Sequence, residues 1–172
     1  MKSVTKESTM TEPPSDAEAR RQSLRRAYSM HPSGVVGVCG MGSDGPVGMA
    51  ASTFTSVSLE PPLVSICIDR ASSTWPRLAS LPRLGLSVLG ADHAVTARTL
   101  AAKSGDRFAG SRWEVDPDGA MFLHGSPLWL TCEVASSITA GDHEIIVLRV
   151  LDSRLFDSEG PLIFHQSQLR PL

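Results

Sequence analysis

Residues 46–74 read PVGMAASTFTSVSLEPPLVSICIDRASST, and the fold of the chain turns on them. Val47, Met49, Ala50 and Ala51 make a small, apolar strand; residues 63–68 make a second, β-branched strand entered through Pro61-Pro62. Hydroxyl side chains lie between and after the two: Ser52, Thr53, Thr55, Ser56 and Ser58, then Ser72, Ser73 and Thr74. Amide and hydroxyl donors held between rigid strands suit an anionic phosphate or a flat heteroaromatic ring. The same residues also make an ordinary hairpin with a polar loop. Local composition does not separate the two readings.

Immediately upstream, Gly40-Met41-Gly42-Ser43-Asp44-Gly45 matches G-x-G-x-x-G. The dinucleotide fingerprint needs its third glycine inside a helix whose N-terminus faces a pyrophosphate. Here Pro46 follows at once and the next segment is strand-patterned, so the spacing predicts a hairpin turn between strands at 34–39 and 47–52. Downstream, residues 72–81 predict a helix with Ser72 or Ser73 as cap and Pro76 in the first turn. Hydroxyls beside free N–H groups at that helix start form an anion site or a plain cap.

The rest of the chain continues the pattern. Residues 54–59 predict a short or irregular strand, 84–89 a strand, 92–103 a helix with an apolar Ala/Val/Leu face, and 106–110 a loop. Strands are expected at 121–123, 128–137, 143–151 and 162–165, with Ala140-Gly141-Asp142 as a turn and a polar end after 165. Toward the N-terminus, residues 19–30 predict a short amphipathic helix ended by Pro32, its solvated face carrying Arg20, Arg21, Arg25 and Arg26. Residues 1–19 are polar and contain Pro13-Pro14, the composition of a disordered tail, which leaves 20–172 as one folded domain. Strands joined by hairpins pair antiparallel, so the order predicts a mainly β fold: an antiparallel β-barrel with peripheral helices rather than a doubly wound sheet.

Composition narrows the function classes. The net charge is −2 and no basic stripe is present, which argues against a nucleic-acid binder. No apolar run approaches the roughly 20 residues that span a bilayer, and the first residues lack the apolar core of a secretory signal, so a cytoplasmic protein is expected. Cys39, Cys67 and Cys132 are odd in number and far apart, which predicts buried apolar side chains in a reducing compartment rather than disulfides. His93, His124 and His165 are dispersed without metal-ligand spacing, so no metal site is expected.

Several segments then combine. His31-Pro32-Ser33-Gly34-Val35 precedes the first strand; residues 45–64 follow as GPVGMAASTFTSVSLEPPLV; then come Ser72-Ser73-Thr74-Trp75, Asp106-Arg107-Phe108-Ala109-Gly110 and Ala140-Gly141-Asp142-His143. This order resembles the flavin reductase family, short-chain NAD(P)H:flavin oxidoreductases with an FMN-binding split β-barrel, and resembles most the members that supply reduced flavin to a partner monooxygenase. The resemblance spans Leu24 to about Leu162. It implies an antiparallel split barrel, a homodimer with a flavin (FMN or FAD) at each subunit interface, and hydride delivery from NADH or NADPH. It places the flavin ring against His31, Pro32, Ser33 and Gly34 and against Met49, Ala50, Ala51 and Ser52. The phosphate and ribityl chain fall to Ser52, Thr53, Ser72, Ser73 and Thr74, with Val57, Ser58, Cys67, Ile68 and Asp69 beside them. His143 resembles the family histidine on the nicotinamide side, and Phe108 is expected near that face. No acid–base pair is needed, because nicotinamide and flavin carry the chemistry and the protein supplies alignment.

Two departures stand out. Gln168 and Leu169 occupy the positions of a C-terminal Arg-Tyr pair found in relatives, and Met49-Ala50-Ala51 stands where several have Thr-Ala-Ser. The alternative from another class is a flavin-binding split-barrel protein without reductase activity, a carrier or sensor.

Overall fold

A computed structural model of the chain describes residues 15–157 and 160–172. Helix α1 (Asp16–Tyr28) leads in, and the short strand β1 (Ser33–Gly34) follows. The body begins with the hairpin β2 (Val36–Gly42) and β3 (Gly45–Ala51), then β4 (Thr55–Leu59) and β5 (Pro62–Asp69). Helix α2 (Trp75–Ala79), strand β6 (Leu84–Val88), a 3-10 turn and helix α3 (Ala94–Leu100) come next. Strands β7 (Trp113–Val115) and β8 (Met121–Leu123) form a small ribbon. The long hairpin β9 (Leu128–Ala140) and β10 (His143–Leu155) precedes a terminal hairpin, β11 (Leu162–His165) and β12 (Gln168–Pro171).

One antiparallel sheet in the order β3-β2-β6-β9-β10-β5-β4 dominates. Its outermost strands are consecutive in sequence, since β3 runs through residues 52–54 into β4, so the sheet curls until its ends meet. Thr53 latches that seam: its hydroxyl accepts from Cys67 N at 2.8 Å and donates to Cys67 O at 3.2 Å. The Gly40–Gly45 segment is a turn, with Gly42 opposite Gly45 and Gly45 at φ +113°. Only glycine takes that φ without strain, so the glycines serve a hairpin and not a phosphate loop.

Period-two alternation sorts the walls. Along β5, Val64, Ile66 and Ile68 point into the barrel, where they meet Val36, Val38, Leu84, Leu86, Ile146 and Leu148; Trp75 and Leu78 of α2 join the same core. A second apolar layer lies on the other face of β2, where Cys39, Leu100, Phe108, Met121 and Leu123 pack together under α3 and the β7–β8 ribbon. The layers are close enough that a Cβ on Gly85 would lie 2.1 Å from Met121 O. The resulting architecture is mainly β with helices at the periphery, as the sequence predicts.

Several details differ from the sequence expectation; among them, the helix expected over 92–103 is a 3-10 turn at Ala91–His93 followed by α3 over Ala94–Leu100. α1 starts at Asp16, inside the segment 1–19 expected to be a tail, because Ser15 Oγ caps Glu18 N at 3.3 Å and Asp16 and Glu18 suit the first turn. The remainder of that segment, residues 1–14, lies outside the described residues. α2 spans Trp75–Ala79 rather than 72–81, since Ser72 Oγ accepts from Trp75 N and opens the helix there. β7 and β12 were not expected. β9 and β10 run longer than 128–137 and 143–151. Cys39 and Cys132 are buried, and burial pushes both thiols up to about 12, but Cys67 sits half-exposed on the outer face of β5.

Candidate functional site

Three cavities run together along β3, and a fourth adjoins them. The first, about 450 Å³, lies between Ala50, Ala51 and Ser52 on one wall and Ala97, Arg98 and Ala101 on the other, with Phe164, Gln168 and Leu169 closing it. It shares Ala50 and Ala101 with a second cavity of about 510 Å³, lined by Met49, Asp69, Ala71, Ser72, Ser73, Thr74 and Lys103. That cavity shares Ser73, Thr74, Lys103 and Arg107 with a third, about 330 Å³, which Arg77 and Phe108 also line. At the opposite end the first cavity shares Ser167 with a fourth, between α1 and the β11–β12 turn.

Small side chains keep the middle of this trough open. Ala97 and Ala101 lie four residues apart, one helical turn, so they present one face across from Ala50. The middle is mostly apolar, with Arg98 on its rim, and the Ser72–Thr74 end carries Lys103 and Arg107. Arg107 Nη1 donates to Thr74 Oγ1 at 2.6 Å and to Gly48 O at 3.0 Å. Its Nε and Nη2 have no partner among the described residues, which leaves one edge of the guanidinium for a ligand. Asp106 does not pair with it; Asp106 Oδ1 accepts from Phe108 N at 2.9 Å. Gly48 is small for a reason, since a Cβ there would lie 2.6 Å from Phe108 Cζ.

The structure brings together Met49, Ala50, Ala51, Ser52, Asp69, Ser72, Ser73 and Thr74 along the trough. Asp69 shapes the turn by accepting from Ala71 N at 2.8 Å, and Ser72 Oγ accepts from the N–H of Trp75, the first residue of α2, at 3.1 Å. Ser33 and Gly34 pair with Phe164 and Ile163, which ties the 31–34 segment to the strand whose Phe164 lines the first cavity; His31 and Pro32 precede it and are exposed. Phe108 is buried and lines only the third cavity. The Ile68 side chain belongs to the barrel core, and Thr53 and the Cys67 backbone are engaged in the seam. Val57 and Ser58 lie on the outermost strand β4, away from the trough.

His143 stands opposite Asp69 in the β10–β5 register, and Arg70 N donates to Asp142 O at 3.0 Å, so the hairpin tip is tied to the Asp69–Thr74 turn. His143 Nδ1 lies 2.8 Å from Asp142 Oδ1. This bond and the histidine's charge hold the Asp142 carboxyl below the usual carboxylate range, with Arg21 on α1 adding a smaller pull.

The residues that sequence reasoning missed are Ala97, Arg98, Ala101, Lys103, Arg107 as a bridge, and Phe164; Gln168 and Leu169, singled out as a departure from relatives, do line the first cavity. The i, i+4 alanines inside the 92–103 helix were the one available signal.

A flavin fits this arrangement. The alanine-walled slot suits a flat ring, and the hydroxyl and cation cluster at Ser73, Thr74, Lys103 and Arg107 suits a phosphate.

Comparison with known proteins agrees. The family described as "Flavin reductase like domain" matches residues 27–172. An NADH:FMN oxidoreductase of Rhodococcus erythropolis is 36% identical over 149 residues, covering 84% of this chain and 78% of that protein. The solved structure of a Streptomyces globisporus NADH:FAD oxidoreductase, in complex with NAD and FAD fragments, superposes with a TM-score of 0.83 at 34% identity, over 90% of this chain and 93% of that one. The flavin reductase component of a bacterial two-component tryptophan halogenase superposes with a TM-score of 0.80 at 32% identity, over 88% and 98%.

Proposed function

The chain belongs to the flavin reductase family, and from that membership we propose its reaction: NADH-dependent reduction of FMN or FAD, released as reduced flavin to a separate monooxygenase. The observation that carries the reading is the trough itself, apolar and alanine-walled at its centre and cationic at the Thr74–Arg107 end. Bound flavin supplies the hydride acceptor at its N5. The chain's own residues bind and align.

Ala50, Ala97 and Ala101 would hold the flavin ring between β3 and α3. Ser73, Thr74, Lys103 and the free edge of Arg107 hold the phosphate, and Arg107 also holds Thr74 in place. Asp142 fixes His143 through Nδ1, which leaves Nε2 to position the nicotinamide donor. No side chain needs to exchange a proton with the hydride, so alignment is the protein's contribution.

The working assembly in this reading is a homodimer. Supporting it, Val57 and Ile138 are about half-exposed on the outer surface, beside the half-buried Leu63, Cys67, Ile145 and Val147. Light scattering at micromolar concentration would give a monomer mass if this is wrong.

The activity is tested by mixing purified protein with NADH and FMN or FAD and following the nicotinamide absorbance. Oxidation well above the free-flavin background is expected. Bound flavin with no oxidation would leave a carrier or sensor and overturn the reductase reading.

A further inference from the structure

We infer that the cavity between the end of α1 and the β11–β12 turn is a second anion subsite, which takes the diphosphate of a dinucleotide whose ring end lies in the trough. The cavity is about 550 Å³ and is lined by Gln22, Arg25, Arg26, Ser29, Gln166 and Ser167. It meets the first trough cavity at Ser167, so a molecule extended along the trough reaches it without leaving the surface. Among the described residues neither Arg25 nor Arg26 has a carboxylate within ion-pair distance. The acids of the helix, Asp16 and Glu18, are in its first turn, whereas Arg25 and Arg26 are in its last. Arginines in a last turn complement the helix macrodipole, which accounts for their charge but not for the cavity or the turn that faces them.

That turn is the second observation. Gln166 and Ser167 have φ of +51° and +61°. A two-residue hairpin of this kind ordinarily carries Asn or Gly, and other residues in the left-handed region cost about 1–2 kcal/mol each. The conformation is held from both sides: Gln166 N donates to Ser29 O at 2.7 Å, and Gln166 Nε2 donates to Met30 Sδ at 3.4 Å. Strain kept in place by such ties clusters at ligand sites. The ties hold the end of α1, which has no buried residue of its own, against the β11–β12 turn, so that Arg25 and Arg26 line the cavity between them.

The cavity lies at the end of the trough opposite Lys103 and Arg107. With the flavin phosphate at that first end, the anion at Arg25 and Arg26 belongs to the nicotinamide dinucleotide; FAD supplies the same chemistry if it lies in the reverse sense. The proposal rests on the flavin reductase reading above.

The test is R25A/R26A, assayed beside R25K/R26K. Alanine favours helix on this exposed face, and circular dichroism and size exclusion check the fold. Steady-state parameters are measured with NADH and with reduced nicotinamide mononucleotide, which lacks the adenylate half. Dissociation constants for FMN and FAD come from flavin fluorescence. The expected result is a KM for NADH raised about tenfold, a much smaller change for the mononucleotide, and partial recovery in R25K/R26K. Added salt erodes the wild-type preference for NADH. Weaker FAD binding with FMN unchanged supports the subsite and assigns it to the flavin dinucleotide. No change in either comparison, or equal losses for the mononucleotide and dinucleotide forms, overturns it. If the wild type oxidises no NADH, the reductase reading fails, and the FAD-against-FMN comparison still decides the subsite by binding alone.

Discussion

Replacing Arg107 by alanine separates a phosphate contact from a structural brace. In the folded chain Arg107 Nη1 gives two hydrogen bonds, to Thr74 Oγ1 at 2.6 Å and Gly48 O at 3.0 Å, across the wall between two cavities. Thr74 is only 8% exposed, so its hydroxyl loses its donor with little water to replace it. A charge-assisted bond contributes about 1.5–3 kcal/mol, and Arg107 is half-buried, so the lower part of that range applies. R107A should cost about 1–2 kcal/mol of stability, a fall in Tm of roughly 2–8 °C at this chain length. The free Nε and Nη2 edge offers a further charged contact to phosphate, so the Kd for FMN should rise roughly ten- to a hundredfold. The assay is fluorescence titration with FMN and, in parallel, riboflavin, which has the ring and ribityl chain without the phosphate. Riboflavin binding should change little. R107K keeps the charge but not the planar fork and should fall between. The reasoning is refuted if FMN and riboflavin weaken equally, which would make Arg107 a brace only, or if FMN affinity does not move.

Three further changes test other parts. H143A should raise the KM for NADH much more than the KM for flavin, and the Asp142 carboxyl, held low by its bond to His143, should move back up; a carboxyl group held low contributes stability that is lost as pH falls through its lowered range, which a carboxyl carbon NMR titration reads. G85A drives a Cβ to within 2.1 Å of Met121 O, backbone that cannot rotate away, so β6 and β8 must part; a loss of about 3 kcal/mol or more is expected by chemical denaturation. His93 Nδ1 accepts from Gly90 N at 2.9 Å, so the ring proton is on Nε2 and donates to His124 O at 2.9 Å. H93A unpairs both backbone groups and should cost about 1–3 kcal/mol, with FMN affinity unchanged.

Much of the architecture was legible because it rests on local rules. Val64, Ile66 and Ile68 alternate with Ser65, Cys67 and Asp69, and that period places one set in the barrel and the other outside. Pro46 together with the strand-patterned residues after it turns an apparent dinucleotide loop into a hairpin. Strand β12 escaped notice because its turn, Gln166-Ser167, carries neither glycine nor asparagine and the strand ends on Pro171. Cys67 was misjudged as buried because composition does not say which face of a strand a residue takes.

The sequence by itself determined most of the strands, the hairpin at Gly42–Gly45 and the hydroxyl-rich stretches around Ser52 and Ser72–Thr74, all of which follow from spacing within a few residues. Only the tertiary structure decided what those stretches do. Thr53 serves the barrel seam and Thr74 is held by Arg107, a residue 33 positions away, while the slot beside Ala50 is made by the alanines of α3 and closed by the last strand. Those partners meet because the sheet curls until β3 and β4 become neighbours of the same seam. That closure is a property of the whole chain, which no short stretch of it encodes.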